Sequence, residues 1–215
     1  MGRVIDWVKK RIGWWWTEFK SNKKLFGISF LLLVLSAMIH YYAGKYVQTA
    51  GVSIVKDIFL DNIPPVDLTF IFVWVWLAIV VLLFMYPLFL KPRAISDTIS
   101  HFSLLIITRS FFIMLTHLKN PLDAIPISFP GLLNKMAFEN DLFFSGHTAV
   151  PFLGFLLFKG SPIRYVFLAL SILMGITVLL MHHHYTIDVL AAYFITYGIF
   201  KIGKFVFTPL EKTKI

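Results

Sequence analysis

The chain has 215 residues, of which 58% are hydrophobic and 14% are charged, and its mean hydropathy is +0.79. A soluble domain carries about 25% charged residues, so this composition excludes a soluble globular protein. The chain has no cysteine, which excludes disulfides, thiol catalysis and Cys-based zinc sites. Because a soluble protein is excluded, we predict an integral membrane protein. In such a protein the net charge of +9 reflects the orientation of the chain in the membrane, so it does not indicate a nucleic-acid partner.

Residues 1–24 predict a basic, Trp-rich interfacial helix. Val4, Val8, Ile12 and Trp15 recur at helical spacing, with Phe19 one turn further on and a Lys-Lys-Arg run beside them. This pattern is typical of an amphipathic helix in the headgroup layer, and an ordinary basic anchor fits it equally well. The segment is too highly charged for a cleavable signal, and the apolar run after it is long enough to span a membrane.

Six apolar runs follow, and each predicts a transmembrane helix because a bilayer core about 30 Å thick needs roughly 20 mostly apolar residues. No run alternates with period two, which argues against barrel strands. We therefore predict an all-α integral membrane protein with six transmembrane helices in one domain, residues 25–207, and a cytoplasmic tail, residues 208–215. The six runs cover residues 25–44, 68–90, 95–116, 142–158, 163–181 and 185–207.

Basic residues are divided unevenly between the two sets of loops. Fifteen of the 20 Lys and Arg residues fall before the first span, in the second and fourth loops, and from the end of the sixth span onwards. Four fall in the first and third loops, and Arg109 lies within a span. The positive-inside rule therefore predicts that both termini are cytoplasmic and that loops one, three and five face the opposite side.

Two polar clusters, residues 141–148 and 182–188, open the fourth and sixth spans at the predicted outer face. Titratable groups at such positions are costly and by default indicate function. His184 and Asp188 are four residues apart and share one helix face, so the carboxylate can hold one imidazole N–H and make the other nitrogen more basic. That arrangement suits a nucleophile.

The first cluster has complementary chemistry. Ser145 and Gly146 lie at a predicted helix start, where free N–H groups and the positive end of the helix dipole favour a phosphate or a similar anion. His147 beside them can act as a second acid–base group, a role that typically contributes about 10²–10⁴-fold in rate. Both clusters can therefore share one reaction site.

These residues resemble a known family. The Phe-Ser-Gly-His-Thr sequence at 144–148 and the His-Tyr-Thr-Ile-Asp sequence at 184–188 look like the second and third motifs of the membrane phosphatidic acid phosphatase type 2 (PAP2) superfamily. The sphingomyelin synthase branch is the most similar. The resemblance covers residues 63–197, which is most of the chain.

Three further features carry the resemblance. The Pro-Pro-Val-Asp sequence that ends at Asp67 is similar to the family's Pro-Leu-Pro-Asp stretch. Residues 109–116 resemble its Arg-containing third-span motif. Asp141 stands six residues before His147, as in the family's Gly-Asp-x-x-x-Ser-Gly-His pattern.

The resemblance implies a six-helix membrane enzyme that cleaves or transfers a phospho-headgroup without a metal or organic cofactor. It implies that His184 is the nucleophile that forms a phosphohistidine, Asp188 its orienting carboxylate, and His147 the general acid–base. Arg109 is expected to bind phosphate or else to pair with a carboxylate, and the aspartates before the motifs are expected to support the reaction or to cap loops. The expected phosphate-binding residues are Ser145, Gly146 and Arg109, and the expected supporting residues are Asp67, Asp141 and Tyr185.

Departures from the phosphatase branch reduce the number of cations at the site. Phe144 replaces a Pro, Val178 occupies the position of an Arg, and Arg109 is the one basic residue that lies away from the ends of the spans. A phosphomonoester is close to a dianion and calls for several cations, whereas a phosphodiester carries one charge. These features favour transfer of a phospho-headgroup from a membrane phospholipid to a lipid acceptor of the ceramide or diacylglycerol type. Hydrolysis in the same site, with water as acceptor, is the alternative.

Other titratable residues favour structural interpretations. Consecutive side chains point in different directions, so the triple His at 182–184 does not favour a metal site. His101 and Asp97 are four residues apart on the cytoplasmic half of the third span and predict a structural pair. The ionisable groups gather at one membrane face, which argues against a transporter, and we expect a bacterial plasma membrane. The sequence leaves open the oligomeric state, the headgroup, and the roles of His40, His117, His182 and His183.

Overall fold

The computed structural model describes residues 2–51, 53–131, 134 and 138–212. The described residues form seven α-helices and contain no β-strand. A π-helical turn, Ile71–Val75, leads directly into the third helix, and short 3₁₀ turns occupy Leu60–Asn62 and Pro92–Ala94. The helices are α1 (Gly2–Ser21), α2 (Lys23–Thr49), α3 (Trp76–Leu90), α4 (Ile95–Leu115), α5 (Gly146–Leu157), α6 (Ile163–Leu180) and α7 (Thr186–Lys212).

Five helical segments of the described chain are long and apolar enough to cross a membrane. They are Lys23–Thr49, Ile71–Leu90, Pro92–Leu115, Ile163–Leu180 and Thr186–Phe207. The all-helical prediction is therefore confirmed for the described residues, and five of the six predicted spans are helices long and apolar enough for a multi-pass membrane protein.

The fourth predicted span, residues 142–158, differs from the prediction. Only the 12 residues Gly146–Leu157 are helical, and a helix of that length rises about 18 Å, less than the core of a bilayer. The helix begins late because the Ser145 hydroxyl accepts a hydrogen bond from the N–H of Thr148 and caps it. Leu142 and Phe144 before it are fully buried, so their apolar side chains fill the protein interior and do not extend the span.

Close packing of helices builds the core that holds the site in place. α2 packs most extensively on α4, and α5 on α6. Gly154 of α5 lets the ring of Phe167 on α6 approach, since a Cβ at Gly154 would stand 2.6 Å from that ring. The main buried cluster comprises Ile79, Leu83, Leu105, Phe144, Ala149, Val150, Leu153, Phe158, Phe167, Met174, Ala192 and Ile199.

The N-terminal segment is helical, as predicted, and contacts the end of α3 and the turn before α4. The indole N–H of Trp15 donates to the carbonyl of Leu88 at 2.6 Å, and Nε of Arg93 lies 2.6 Å from Oε1 of Glu18. α1 and the loop between α3 and α4 therefore share one end of the bundle. The side chains of Val4, Val8 and Ile12, on which the amphipathic pattern depends, lie outside the described residues. So do residues 213–215 of the predicted tail.

The opposite end of the bundle collects the polar motifs. There the loop after α2 pairs with the loop after α4, with Ser53 N–H donating to the carbonyl of His117 and Lys119 N–H to that of Ser53. The end of α2 and the starts of α3, α5 and α7 meet below these loops.

Candidate active site

A main-chain hydrogen bond joins the two motifs that the sequence singles out. The N–H of Ser145, at the start of α5, donates to the carbonyl of Asp188, in the first turn of α7, at 3.1 Å. The Ser145 side chain is fully buried and caps α5 through Thr148. The motifs therefore lie together, and the hydroxyl of Ser145 has a structural partner.

His184 and Asp188 form a buried pair. Nδ1 of His184 lies 3.1 Å from Oδ2 of Asp188, and the same oxygen accepts the main-chain N–H of Tyr185 at 3.2 Å. His184 is 4% exposed and Asp188 is 0% exposed. Oδ1 of Asp188 has no hydrogen-bond partner among the described residues. This pair has the geometry that the four-residue spacing predicts. The contact uses Nδ1 of His184, so Nε2 is the ring nitrogen that does not contact the carboxylate.

Two aromatic rings hold His147. The centroid of its ring lies 4.1 Å from that of Phe72 and 4.4 Å from that of Trp76. Nε2 of His147 is buried and has no hydrogen-bond partner among the described residues. Phe72 belongs to the π turn that leads into α3. A π turn interrupts the regular helical hydrogen bonding, which makes it a common feature of functional sites.

A cavity of about 200 Å³ lies beside His147. Its polar lining comes from α2, α4, the loop before α5, and α5 itself, so the fold brings together side chains far apart in the chain. The remaining lining is apolar. The lining residues are His40, Trp76, Leu77, Ile106, Arg109, Phe129, Asp141, Gly146, His147 and Val150.

Arg109 is buried and engaged by the loop before α5. Its Nη1 donates to both carboxylate oxygens of Asp141 at 2.8 and 2.7 Å, its Nη2 to the carbonyl of Asp141, and its Nε to that of Phe144. Of the two roles expected for Arg109, the structure contains the carboxylate pair. Gly146 allows this approach, since a Cβ there would lie 3.3 Å from Nε of Arg109.

The charge of Asp141 is stabilised by this arrangement. Burial alone would raise its pKa, but the charges of Arg109 and His40 and the hydrogen bond from Arg109 hold the pKa below its ordinary value. Asp141 therefore faces the cavity as a carboxylate. His40 had no assigned role in the sequence, because nothing in its local pattern places α2 beside residues 141–147.

Asp67 and Tyr185, two expected supporting residues, have structural partners. Asp67 is exposed, accepts the N–H of Thr69 at 2.9 Å, and does not line the cavity. The hydroxyl of Tyr185 donates to the carbonyl of Lys119 at 2.8 Å and accepts from the N–H of Val55. Asp67 thus has the loop-capping role, and Tyr185 connects two loops above the site.

Asp57 is a structural residue of the site that the sequence does not reveal. Its carboxylate accepts hydrogen bonds from the N–H and the hydroxyl of Thr186 at 2.6 and 2.8 Å, so a residue of the first loop caps α7. Burial would raise the pKa of Asp57, but these bonds and those from the N–H groups of Phe59 and Leu60 lower it. No local sequence pattern indicates this role, because Asp57 and Thr186 are 129 positions apart in the chain.

The other histidines of this end differ in their surroundings. Nε2 of His183 contacts the carbonyl of Ile125 and so holds the third loop. His182 is buried, has a positive φ of 56°, and lines a separate outer pocket. His117 is exposed beside the carbonyl of Met114. No group of three His, Asp or Glu side chains fit to hold a metal ion is found in the described part of the chain.

A second polar cluster lies at the α1 end of the bundle. Nδ1 of His101 is 3.0 Å from Oδ1 of Asp97, and Nζ of Lys204 is 2.5 Å from Oδ2 of the same residue. The His101–Asp97 contact predicted from the sequence is therefore present, and Lys204 extends it to α7. This cluster contributes no residue to the cavity beside His147.

The helices fit a multi-pass membrane protein. His40, Arg109, Asp141 and His147 line one largely apolar cavity, whereas His184 and Asp188 do not line it. Residues 140–205 match the family model described as PAP2 superfamily C-terminal, a range that includes both His motifs. The match supports the PAP2 superfamily, whose members are generally phosphatases or phosphotransferases, and at that level it supports an enzyme. No curated protein and no solved structure matches the chain.

Proposed function

We propose that the protein is a lipid phosphotransferase that moves a phospho-headgroup from a membrane phospholipid to a lipid acceptor through a phosphohistidine. The observation that carries this proposal is the joining of the His184–Asp188 pair to the start of α5, which bears His147, through the Ser145–Asp188 hydrogen bond. A nucleophile with an orienting carboxylate and a separate acid–base group are the parts that covalent phosphoryl transfer requires.

In the first half-reaction, Nε2 of His184 attacks the phosphorus of the donor. The bond from phosphorus to the diacylglycerol oxygen breaks as the N–P bond forms, and the protonated ring of His147 gives its proton to the departing oxygen. The carboxylate of Asp188 stabilises the positive charge that develops on His184. Its unpartnered Oδ1 agrees with this role, because a buried carboxylate with an open acceptor position favours a cationic neighbour.

In the second half-reaction, neutral His147 takes the proton of the acceptor hydroxyl. The acceptor oxygen then attacks the phosphorus, the N–P bond breaks, and His184 returns to its starting state. Each group returns to its initial protonation after one cycle, so the site requires no further reactant.

The lining of the cavity supports a lipid acceptor over water. Trp76, Leu77, Ile106, Phe129 and Val150 form its walls, and Nε2 of His147 is buried between aromatic rings. A small apolar space next to the acid–base group admits a lipid hydroxyl and limits the number of competing waters.

We place this site on the extracytoplasmic face, with both termini in the cytoplasm, by the positive-inside rule. The site lies at the end of the bundle opposite α1, and α1 carries the densest group of basic residues. A cysteine introduced at Asn134 or at Lys91, labelled in intact cells with an impermeant thiol reagent, tests this. Labelling of Asn134→Cys alone is expected; labelling of Lys91→Cys alone would reverse the orientation.

The test of the function is to incubate purified protein with a phospholipid labelled in its headgroup phosphorus, with and without ceramide or diacylglycerol. Label in the acceptor lipid supports transfer, whereas water-soluble label in the presence of acceptor supports hydrolysis. His184→Ala and His147→Ala should each lower turnover by at least about 10²-fold. His117→Ala is the matched control, because His117 lies at the same end but is exposed and outside the cavity.

The intermediate is tested separately. Stopping the reaction with alkali should leave label on the protein, and acid should release it, because phosphohistidine is stable in base and labile in acid. The label should be absent in His184→Ala and should accumulate in His147→Ala when a donor with a good leaving group is used. Full activity in His184→Ala would rule out the proposed site.

A further inference from the structure

Arg109, the permanent cation that lines the cavity beside His147, is not available as a free charge. Four hydrogen bonds from the Arg109 guanidinium go to the carboxylate of Asp141 and to the carbonyls of Asp141 and Phe144. Arg109 is 6% exposed, so its carboxylate partner, more than solvent, balances its charge. A phosphate in the cavity therefore meets an ion pair.

Four of the described elements contribute a titratable or charged side chain to the lining of the cavity. α2 contributes His40, α4 contributes Arg109, and the loop before α5 contributes Asp141. α5 contributes His147, whereas the cavity-lining residues Trp76 and Leu77 of α3 are uncharged. His184 and Asp188 do not line this cavity, and the Ser145–Asp188 hydrogen bond joins them to the start of α5. Apart from the histidines, whose protonation changes during the proposed cycle, these residues carry one permanent cation, Arg109, and two carboxylates, Asp141 and Asp188.

We propose that Asp141 determines the substrate class, because by neutralising Arg109 it makes the cavity accept the singly charged phosphorus of a phosphodiester and disfavour the doubly charged phosphate of a phosphomonoester. This inference rests on the function proposed above. A phosphomonoester carries about −1.5 to −2 charges at pH 7. Any negative charge fixed beside the cavity therefore repels it about twice as strongly as it repels a diester.

The charge of Asp141 persists over the working pH range, because Arg109 and His40 keep the pKa of this carboxyl below its ordinary value despite burial. The discrimination therefore depends on the substrate's ionisation and not on that of Asp141. A carboxylate in this position acts as a specificity residue through Arg109 and takes no part in bond making.

The first test compares two donors that differ by one methyl group and one charge. Phosphatidic acid is the monoester, and phosphatidylmethanol with the same acyl chains is the diester. Diacylglycerol release is measured for both. In Asp141→Asn, which keeps the shape and removes the charge, the ratio of kcat/KM for monoester over diester should rise roughly tenfold or more relative to wild type.

Two control variants separate this effect from others. Glu139→Gln removes the same charge from an exposed position of the same loop and should leave the ratio unchanged. In the double variant Arg109→Gln/Asp141→Asn the freed cation is absent, so the ratio should return towards the wild-type value. An unchanged ratio in Asp141→Asn, or an equal rise in Glu139→Gln, would overturn the inference.

Because the single substitution leaves Arg109 buried and unpaired, it can impair folding, so the second test uses the wild type. A phosphomonoester loses its second charge below about pH 6, where it becomes a monoanion like the diester. The monoester-to-diester ratio should therefore rise several-fold between about pH 8 and pH 5. A ratio that does not change with pH would contradict the proposed role of Asp141. If neither lipid released diacylglycerol, that result would instead contradict the proposed function.

Discussion

The main-chain N–H of Ser145 donates a hydrogen bond to the main-chain carbonyl of Asp188, with nitrogen and oxygen 3.1 Å apart. Ser145 precedes His147 by two positions, and Asp188 holds His184 with its side chain. One bond therefore connects the start of the helix that carries the proposed acid–base group with the residue that orients the proposed nucleophile. The bond links the segments that carry the two histidines, so small shifts of α5 should alter the proposed catalysis.

Gly146→Ala tests how closely α5 must approach α4. A Cβ at position 146 would stand 3.3 Å from Nε of Arg109, so either the guanidinium or the start of α5 must shift. We expect kcat/KM to fall roughly tenfold, since displacements well below 1 Å from the productive geometry are costly. Stability should not fall much, because Ala is favoured over Gly in a helix by about 1 kcal/mol.

Gly198→Ala is the matched control for this substitution. Gly198 lies in α7, and a Cβ there would meet nothing within 4 Å. Activity of this variant should equal that of the wild type. Equal losses of activity in both variants would show that the close approach at Gly146 has no special role.

Asp57→Ala should destabilise the start of α7. The carboxylate of Asp57 accepts from both the N–H and the hydroxyl of Thr186, and loss of an N-terminal cap costs about 0.5–2 kcal/mol. Thermal unfolding in detergent measures the loss, and Asp57→Asn should lose less because its amide oxygen can still accept. Activity should fall as well, since the capped turn contains Asp188.

The pH dependence of this effect has a defined sign. The pKa of Asp57 in the folded protein is lowered, by the hydrogen bonds from Thr186, Phe59 and Leu60 against the opposing effect of burial. Its stabilisation is therefore present above the unfolded pKa of about 3.9 and is lost as the pH falls through the folded value. The difference in stability between wild type and Asp57→Ala should be constant from about pH 7 to pH 5 and should shrink below about pH 4. A difference that grew on acidification would contradict the capping role.

Local spacing explains which parts of the site were predictable. His184 and Asp188 lie four residues apart, so the helical period alone places them in contact. The Arg109–Asp141 pair joins positions 32 apart, and the Asp57 cap joins positions 129 apart. These depend on which helices pack together, and neither hydropathy nor short motifs contain that information.

The fourth span illustrates a limit of hydropathy. Leu142 and Phe144 add to an apolar run in the sequence, but both are buried in the interior and precede a helix that Ser145 caps. Phe143, with a φ of 66°, takes a left-handed backbone conformation that ends any helical continuation. A hydropathy window cannot tell apolar residues that face lipid from those that fill a core.

Lys204→Met tests whether the polar cluster at the α1 end is structural. Lys204 contacts Asp97, which in turn contacts His101, and the three tie α7 to α4. Loss of a hydrogen bond to a charged group costs about 1–3 kcal/mol, and the part-exposed position of Lys204 favours the lower end. We expect lower thermal stability with unchanged kcat/KM for the folded fraction.

Lys201→Met provides the comparison for that variant. Lys201 lies one turn earlier on α7, and its ammonium group stands over the ring of Tyr197 without an acidic partner among the described residues. Its loss should leave both stability and activity close to wild type. A large fall in kcat/KM for Lys204→Met alone, with normal stability, would instead place the cluster in the catalytic cycle.

Trp76→Leu tests the aromatic clamp on His147. The ring of Trp76 lies 4.4 Å from that of His147 and lines the cavity, and the ring of Phe72 lies 4.1 Å from that of His147. An aromatic contact of this kind contributes about 0.5–1.5 kcal/mol, so its loss should lower kcat roughly three- to tenfold by loosening the acid–base group. Trp74→Leu is the matched control, since Trp74 lies in the adjoining π turn and is 53% exposed. Because both variants remove one indole from one helical segment, an equal loss in each would reflect the membrane-facing surface, whereas a loss confined to Trp76→Leu assigns the effect to His147.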